Sequence, residues 1–294
     1  MHESILRYKK NRYQAIAAVV LLVSGILFAT QGHDQVPNGG TWQGYVLGSI
    51  ATALILWLAA LGIRKRAYSS NLGTVQGWTS AHVYLGIAVL FVATLHNAAQ
   101  VGWNVHTLAY VLMCIVIISG GVGIYTYLKY PRLLSKNRAG RTDSAMFAEL
   151  NALNEQGIKI SRHCDSQVRQ VIDTSIARTA IGGGLLAQLL AIDNSKLILP
   201  LDDGSHTKLV ANTDQQKAID FVAYRIPRTR KKNEASELQR LLVILCRRQT
   251  LLRQIRKDIQ LRAGMNVWLF VHIPMTIALL VCLAIHIFSV FFFW

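Results

Sequence analysis

The sequence predicts an all-α membrane protein: a five-span transmembrane helix bundle with a long mixed, mostly helical cytoplasmic insertion between spans four and five. Three observations carry this expectation. Apolar runs of about 20 residues, the length that crosses a bilayer, occur five times in the 294-residue chain. Only 16% of residues are charged and 52% are hydrophobic, whereas roughly a quarter are charged in a soluble domain. The 31 Lys and Arg, against 15 Asp and Glu, are also segregated with respect to the runs. These numbers exclude disorder and a disulfide-stapled secreted scaffold. Cys114, Cys164, Cys246 and Cys282 form no CxxC pair and no CxxCH, which leaves iron–sulfur clusters, zinc ribbons and covalent haem without support.

The predicted spans are Tyr13–Thr30, Trp42–Ile63, Trp78–Ala99, Val105–Leu128 and Val267–Phe293. The first follows a basic stretch, as a signal peptide would. No small-x-small cleavage site follows Phe28-Ala29-Thr30, so it reads as a retained anchor. Trp42, Trp78, Trp103, Trp268 and Trp294 lie at or near span ends, where amphipathic rings favour the headgroup zone. Arg7, Lys9, Lys10 and Arg12 precede span one, Arg64, Lys65 and Arg66 follow span two, and the other 24 cations lie between Lys129 and Arg262. The loops Gln31–Thr41 and Gln100–Asn104 hold none. All cations therefore fall on one side, which places the N-terminus inside and the C-terminus outside, as in a bacterial inner membrane. This topology accounts for the basic balance without nucleic acid.

Three regions follow: residues 1–130 with spans one to four, 131–265 as a basic insertion domain, and 266–294 with span five. Within the insertion, Ser144–Gln156 and Cys164–Arg178 read as helices, and Lys196–Leu201 with His206–Val210 flank an Asp203-Gly204 hairpin signal. Gly182-Gly183-Gly184 lacks the Gly-Lys-Ser/Thr of a phosphate loop and reads as a hinge. Leu238, Leu241, Leu245, Arg248, Leu252, Ile255, Ile259 and Arg262 alternate steps of three and four, a coiled-coil-like seam interrupted by two arginines. Its helix is expected to feed span five, with Gly264 as a break and Pro274 as a kink. This Glu234–Arg262 helix, with its apolar seam, is also the expected contact element for a partner.

The informative residues are histidines. Span three carries His82 and His96, and span five carries His272 and His286, each pair 14 positions apart. On a helix that spacing is about 21 Å of rise and about 40° short of four full turns. Each pair therefore faces one way, with one member near each side of the bilayer. Spans three and five run in the same direction, which matches His82 with His272 and His96 with His286. An ionisable group inside a span is by default a functional-site hypothesis. Neutral imidazoles are good iron ligands, and two facing levels of them suit two planar iron porphyrins. The bland alternative is interhelical hydrogen bonding, which fits one histidine more readily than four at equal spacing. His106 and His33 read as polar interface residues, and His2, His163 and His206 carry no ligand spacing.

This pattern resembles the di-haem membrane cytochromes b. Ligands on spans three and five of five spans are similar to the ferric reductase-like transmembrane domain that NADPH oxidases share. The resemblance covers roughly residues 13–130 and 266–293 and rests on spacing and topology. The cytochrome b of quinol-oxidising bc complexes has the same spacing on two parallel helices. The resemblance implies two non-covalent haem b groups with His82, His272, His96 and His286 as iron ligands. Arg64, Arg66, Lys129 and Arg132 are then placed to meet the inner haem propionates or, equally, to anchor the topology. Outer propionates would rely on Asn97, Gln100, Trp103, His106 or water. Ser119, Gly120, Gly121 and Gly123 admit either close helix packing or a planar group.

The sequence ends at Trp294 without flavin or nicotinamide domains, so the expected function is an electron-transfer subunit of a larger redox complex rather than a stand-alone enzyme. Expected partners are other redox subunits or an acidic soluble electron carrier, with lipid and a possible quinone. The alternatives are a reductase acting on quinone, ferric iron or oxygen, and a non-redox scaffold recruiting partners through its basic domain.

Overall fold

The computed structural model describes residues 7–31, 39–67, 71–201 and 206–292. Ten helices and one hairpin follow in chain order: α1 (Arg12–Ala29), α2 (Trp42–Ala59), α3 (Leu61–Arg66), α4 (Val75–Asn97), α5 (Val105–Arg138), α6 (Asp143–Ser161), α7 (Ser166–Ala177), α8 (Leu185–Leu189), β1 (Lys196–Pro200), β2 (Thr207–Ala211), α9 (Gln216–Arg225) and α10 (Lys232–Phe292). Five helices are long and apolar enough to cross a membrane. The hairpin turn at Asp203-Gly204, His2, His33 and Trp294 lie outside the described residues. The chain divides into two units, 1–125 with 268–294, and 126–267.

In the first unit, Thr41 and Thr74 cap α2 and α4 by accepting the amides of Gly44 and Gly77 at 3.1 Å. Leu47, Ala51 and Ile55 of α2 pack with Val89 and Val92 of α4, Met113 of α5, and Leu279 and Leu283 of α10. Ala17 of α1 meets Ala81, Leu85 and Ala88 of α4, where small side chains let helices approach closely. The outward faces are apolar instead of charged, as Leu22, Leu56, Ile118, Phe270 and Phe291 illustrate. Trp42 and Trp103 are exposed at helix ends, but Trp268 is half-buried. Its indole donates to the Ser119 carbonyl at 2.8 Å, so it packs inside this bundle instead of marking a headgroup zone.

In the second unit, the Leu238–Arg262 seam forms the core. Leu238, Leu241 and Leu245 pack against α7 and α9, and Leu252 and Ile255 against Met146, Leu150 and Leu153 of α6. Leu241 and Leu252 are fully buried. The seam of the helix expected to contact a partner is thus covered by the chain's own helices. β1 and β2 pair antiparallel from Lys196↔Ala211 to Pro200↔Thr207, and Leu197 buries against Val171 and Ala218. Gly182 and Gly183 have positive φ (84° and 112°) in the turn entering α8. Gly264 does not break α10, which is continuous from Lys232 to Phe292 through both Gly264 and Pro274. The missing side chain instead admits the Tyr130 ring, whose atoms would stand 3.2 Å from a Cβ there.

Both seam arginines are absorbed into this unit. Arg248 is almost wholly buried and donates to Asn154 Oδ1 at 2.7 Å, Gln215 Oε1 at 2.5 Å and Thr179 Oγ1 at 2.5 Å. Burial, with Arg256 nearby, pulls its guanidinium down to about 10. Arg262 joins a four-charge network in which Arg138 grips Asp258 bidentately, at 2.6 and 2.9 Å, and also pairs with Asp143 at 2.8 Å. Arg262 contacts Asp258 at 2.6 Å and also pairs with Asp143.

Leu241→Ala should cost about 2–5 kcal/mol in denaturant unfolding of the detergent-solubilised chain. Val243→Ala, on the exposed face, should stay within about 0.5 kcal/mol. Equal effects would mean that the seam is not core. Asp258 is buried, which alone would raise its carboxyl, but the Arg138 hydrogen bonds and the Arg262 charge prevail and hold it below the usual range. A lowered folded value means its stabilisation is complete above the unfolded value of about 3.9. That stabilisation is lost as pH falls through the lower folded value. Asp258→Asn should therefore destabilise the chain at pH 7 and flatten the acid limb of its stability profile below about pH 4. A variant with an unchanged acid limb would remove Asp258 from that role.

Candidate functional site

The four predicted histidines all lie in the first unit, half-buried between α2, α4, α5 and α10. His82 Nδ1 lies 3.1 Å from the Leu58 carbonyl oxygen, and His96 Nδ1 lies 2.8 Å from that of Gly44. A carbonyl oxygen only accepts, so each Nδ1 carries the proton and each Nε2 keeps a bare lone pair. His272 Nδ1 lies 2.8 Å from Ser119 Oγ. That hydroxyl gives its single proton to the Val116 carbonyl at 2.7 Å, so toward His272 it accepts and fixes the same tautomer. His272 lies near enough to His82 for its charge to bear on that ring.

The other two histidines meet directly. The His96 and His286 ring centres are 6.1 Å apart with planes at 86°. The Nδ1 of His286 is hydrogen-bonded to the Nδ1 of His106, whose ring centre is 4.5 Å away at 89°. The reading of His106 as a polar interface residue is thus corrected, because the start of α5 packs it against a predicted ligand. Gly44 and Leu58 are 14 positions apart on α2, the spacing of the histidine pairs they serve, and His106 and Ser119 are 13 apart on α5. Two levels of acceptors therefore face two levels of imidazoles.

Glycine opens room for these rings. A Cβ at Gly48 would stand 2.8 Å from His96 Cε1, and one at Gly39 3.3 Å from the same atom. Gly120 lies beside His272, and the Trp268 indole covers Gly123, while nothing lies within 4 Å of Gly121. Gly120 and Gly123 therefore serve ring and helix packing on α10, and Gly121 faces open space. Trp268 also lies 5.4 Å from the His272 ring.

Arg64 is buried and donates to the carbonyls of Ala67 at 3.0 Å and Gly73 at 2.6 Å, which fastens the α3–α4 connection. Arg66 is exposed, and Lys129 and Arg132 belong to the second unit. Lys65 is the cation whose charge reaches both His82 and His272. Sequence reasoning passed over Lys65, Gly48, Ser119 as a hydrogen-bond acceptor, and the Leu58 and Gly44 carbonyls. A carbonyl is invisible in sequence, but Gly48 sits four residues after Gly44, a spacing that signals a close helix approach.

Among the described residues, no group of three or more His, Cys, Asp or Glu is gathered as a metal site. The arrangement instead offers paired nitrogens, which suits a metal whose other positions are already filled. Two imidazole–metal bonds of about 2 Å each along one line would set ring centres about 6.3 Å apart, close to the 6.1 Å of His96 and His286. Ligating histidines characteristically donate their second ring N–H to a fixed acceptor, as His82, His96 and His272 do here. On both counts the residues fit a bis-imidazole haem. In comparisons with family models, with curated proteins and with solved structures, the chain matches none.

Alanine is ordinarily favoured over glycine in a helix by up to about 1 kcal/mol, so Gly48→Ala should stabilise α2 unless His96 opposes it. Displacement of the His96 ring is expected instead, read as a change in its ¹⁵N imidazole shifts. Gly121→Ala, with open space, should leave all histidine shifts in place. Unchanged His96 shifts in Gly48→Ala would remove Gly48 from the site.

Proposed function

We propose that the chain is a bis-histidine b-type cytochrome embedded in a membrane, carrying single electrons between its two faces as a subunit of a redox complex. The observation that carries this reading is the set of histidines whose Nδ1 atoms are committed to hydrogen bonds. No protein hydrogen bond meets their Nε2 atoms among the described residues. On this reading His82 and His272 hold a haem near the inside, and His96 and His286 hold one near the outside. A haem held by these histidines would supply one-electron chemistry, with the imidazoles instead of substrate as its ligands.

The protein's own contribution is positional. Leu58, Gly44 and Ser119 hold three imidazoles in one tautomer and one ring orientation, with Nε2 left to bind a metal. Gly48, Gly120 and Gly123 make space for rings, and the Leu47–Val92–Leu283 core excludes water between the levels. Lys65 lies near the His82 level as a counter-charge.

The membrane reading is supported by the five apolar helices and their apolar outward faces. Segregation of Lys and Arg supports an inside N-terminus and an outside C-terminus. The resemblance to the ferric reductase-like transmembrane domain belongs to this proposal. So do an electron donor on another polypeptide, such as an acidic carrier or redox subunit, and a quinone or lipid contact. The net +11 of residues 129–266, from 24 Lys and Arg and 13 Asp and Glu, supports an acidic partner.

The purified chain should contain two low-spin b haems, quantified by reduced-minus-oxidised spectra and released intact by acid extraction. His82→Ala or His272→Ala should remove one haem, and His96→Ala or His286→Ala the other. One haem per chain, or loss of a single haem from both His82→Ala and His286→Ala, would overturn the pairing. A colourless protein would leave the scaffold reading in its place.

A further inference from the structure

His106 stands apart from the groups that serve the other three histidines. Those groups are two carbonyl oxygens, which only accept, and the Ser119 hydroxyl, whose proton goes to Val116, whereas His106 presents a ring nitrogen that can accept or donate. It is also held in place. Asn104 caps α5 by accepting the Thr107 amide at 2.9 Å, and Thr107 accepts the Gly102 amide at 2.9 Å. Cys282 donates to the Val105 carbonyl at 3.6 Å, which ties the start of α5 to α10 one turn before His286. His106 therefore meets His286 from a fixed helix terminus.

If His286 is to offer Nε2 as its three counterparts do, its Nδ1 must carry the proton. His106 Nδ1 must then be the acceptor, with the proton of the neutral His106 ring on Nε2. We propose that His106 is a positioning residue: it orients His286 and fixes its tautomer, making His286 a ligand whose binding strength depends on a neighbouring imidazole. This rests on the haem reading above. The haem at the His96–His286 level then differs from the other in its ligand environment, because one of its ligands is hydrogen-bonded to nitrogen instead of oxygen.

The test uses the full chain in detergent with His106→Leu and His106→Asn. Its readouts are haem retention, low-spin electron paramagnetic resonance signals and midpoint potentials. Leu removes the acceptor and should weaken retention of the His96–His286 haem by roughly 10–100-fold, the usual cost of losing such a partner. It should also move that haem's signal and potential while leaving those of the His82–His272 haem unchanged. Asn, whose amide oxygen accepts, should restore retention.

Leu with both signals and both potentials unchanged would overturn the proposal. Loss of both haems together would also overturn it, because His106 would then hold the bundle and not one ligand. If His286→Ala kept the outer-level haem while His106→Ala lost it, His106 would itself be the ligand and the proposal would be wrong. A wild-type chain without haem would remove the function and this inference together. That result is distinguishable from a haem-loaded chain indifferent to His106.

Discussion

An imidazole inside an apolar helix bundle has two nitrogens to satisfy, and the rest of this unit is arranged around how the first is spent. His82, His96 and His272 each give Nδ1–H to an acceptor on a neighbouring helix. A buried polar group without a partner costs about 1–3 kcal/mol, so these bonds constrain helix register as well as ring orientation. α2 must present the Leu58 and Gly44 carbonyls at the depths of His82 and His96, and α5 must present Ser119 at the depth of His272. Gly48 follows from the same constraint. With the His96 ring drawn to the Gly44 carbonyl one turn away, a side chain at position 48 would meet the ring.

The second unit solves a related problem with charge. Arg248 occupies a core position on α10, and neutral oxygens of Asn154, Gln215 and Thr179 surround its guanidinium. Asn212 and Ser175 extend the network by bonding Gln215 Oε1, each at 3.1 Å. Removing one member of such a network strands the others, so its value lies in fixing how α6, α9 and α10 register, more than in net stability. Asp258 illustrates the ionic version. Two arginines from different helices converge on one buried carboxylate, and the pairing works because both of its oxygens are engaged.

Much of this was legible in the sequence because hydrophobic periodicity and length are local signals. The α1, α2, α4, α6 and α7 segments and the β1–β2 pairing fall close to their predicted ranges, whereas α5 runs past its predicted end at Leu128 to Arg138 and span five is the last part of the longer α10. The 14-residue histidine spacing likewise selected residues that the fold gathers in one unit. What sequence could not resolve was which partner each amphipathic surface would take. The Leu238–Ile259 stripe has a pattern that suits a partner helix equally well inside or outside the chain, and only the fold assigns it to α6, α7 and α9. Gly264 reads as a break by propensity, yet α10 continues through it, since packing outweighs a local preference of about 1 kcal/mol for glycine. Arg64 was read by charge and side, but a guanidinium has five donors, and the nearby carbonyls of Ala67 and Gly73 claimed it.

His106 was the most informative omission. Sequence reads it as a polar interface residue at the start of span four; the 14-residue interval is the rule for a ligand repeated on one helix. A group that supports a ligand obeys a different rule: it must sit on another helix at the ligand's depth. His106 and Ser119 are 13 apart on α5, a difference of about 1.5 Å in rise from the histidine spacing on α4 and α10. The same near-coincidence holds for Gly44 and Leu58 on α2. Reading each helix for a polar or small residue at the ligand interval, and not only for a second histidine, recovers Gly44, His106 and Ser119. It misses only Leu58, whose backbone oxygen has no signature in the side chain.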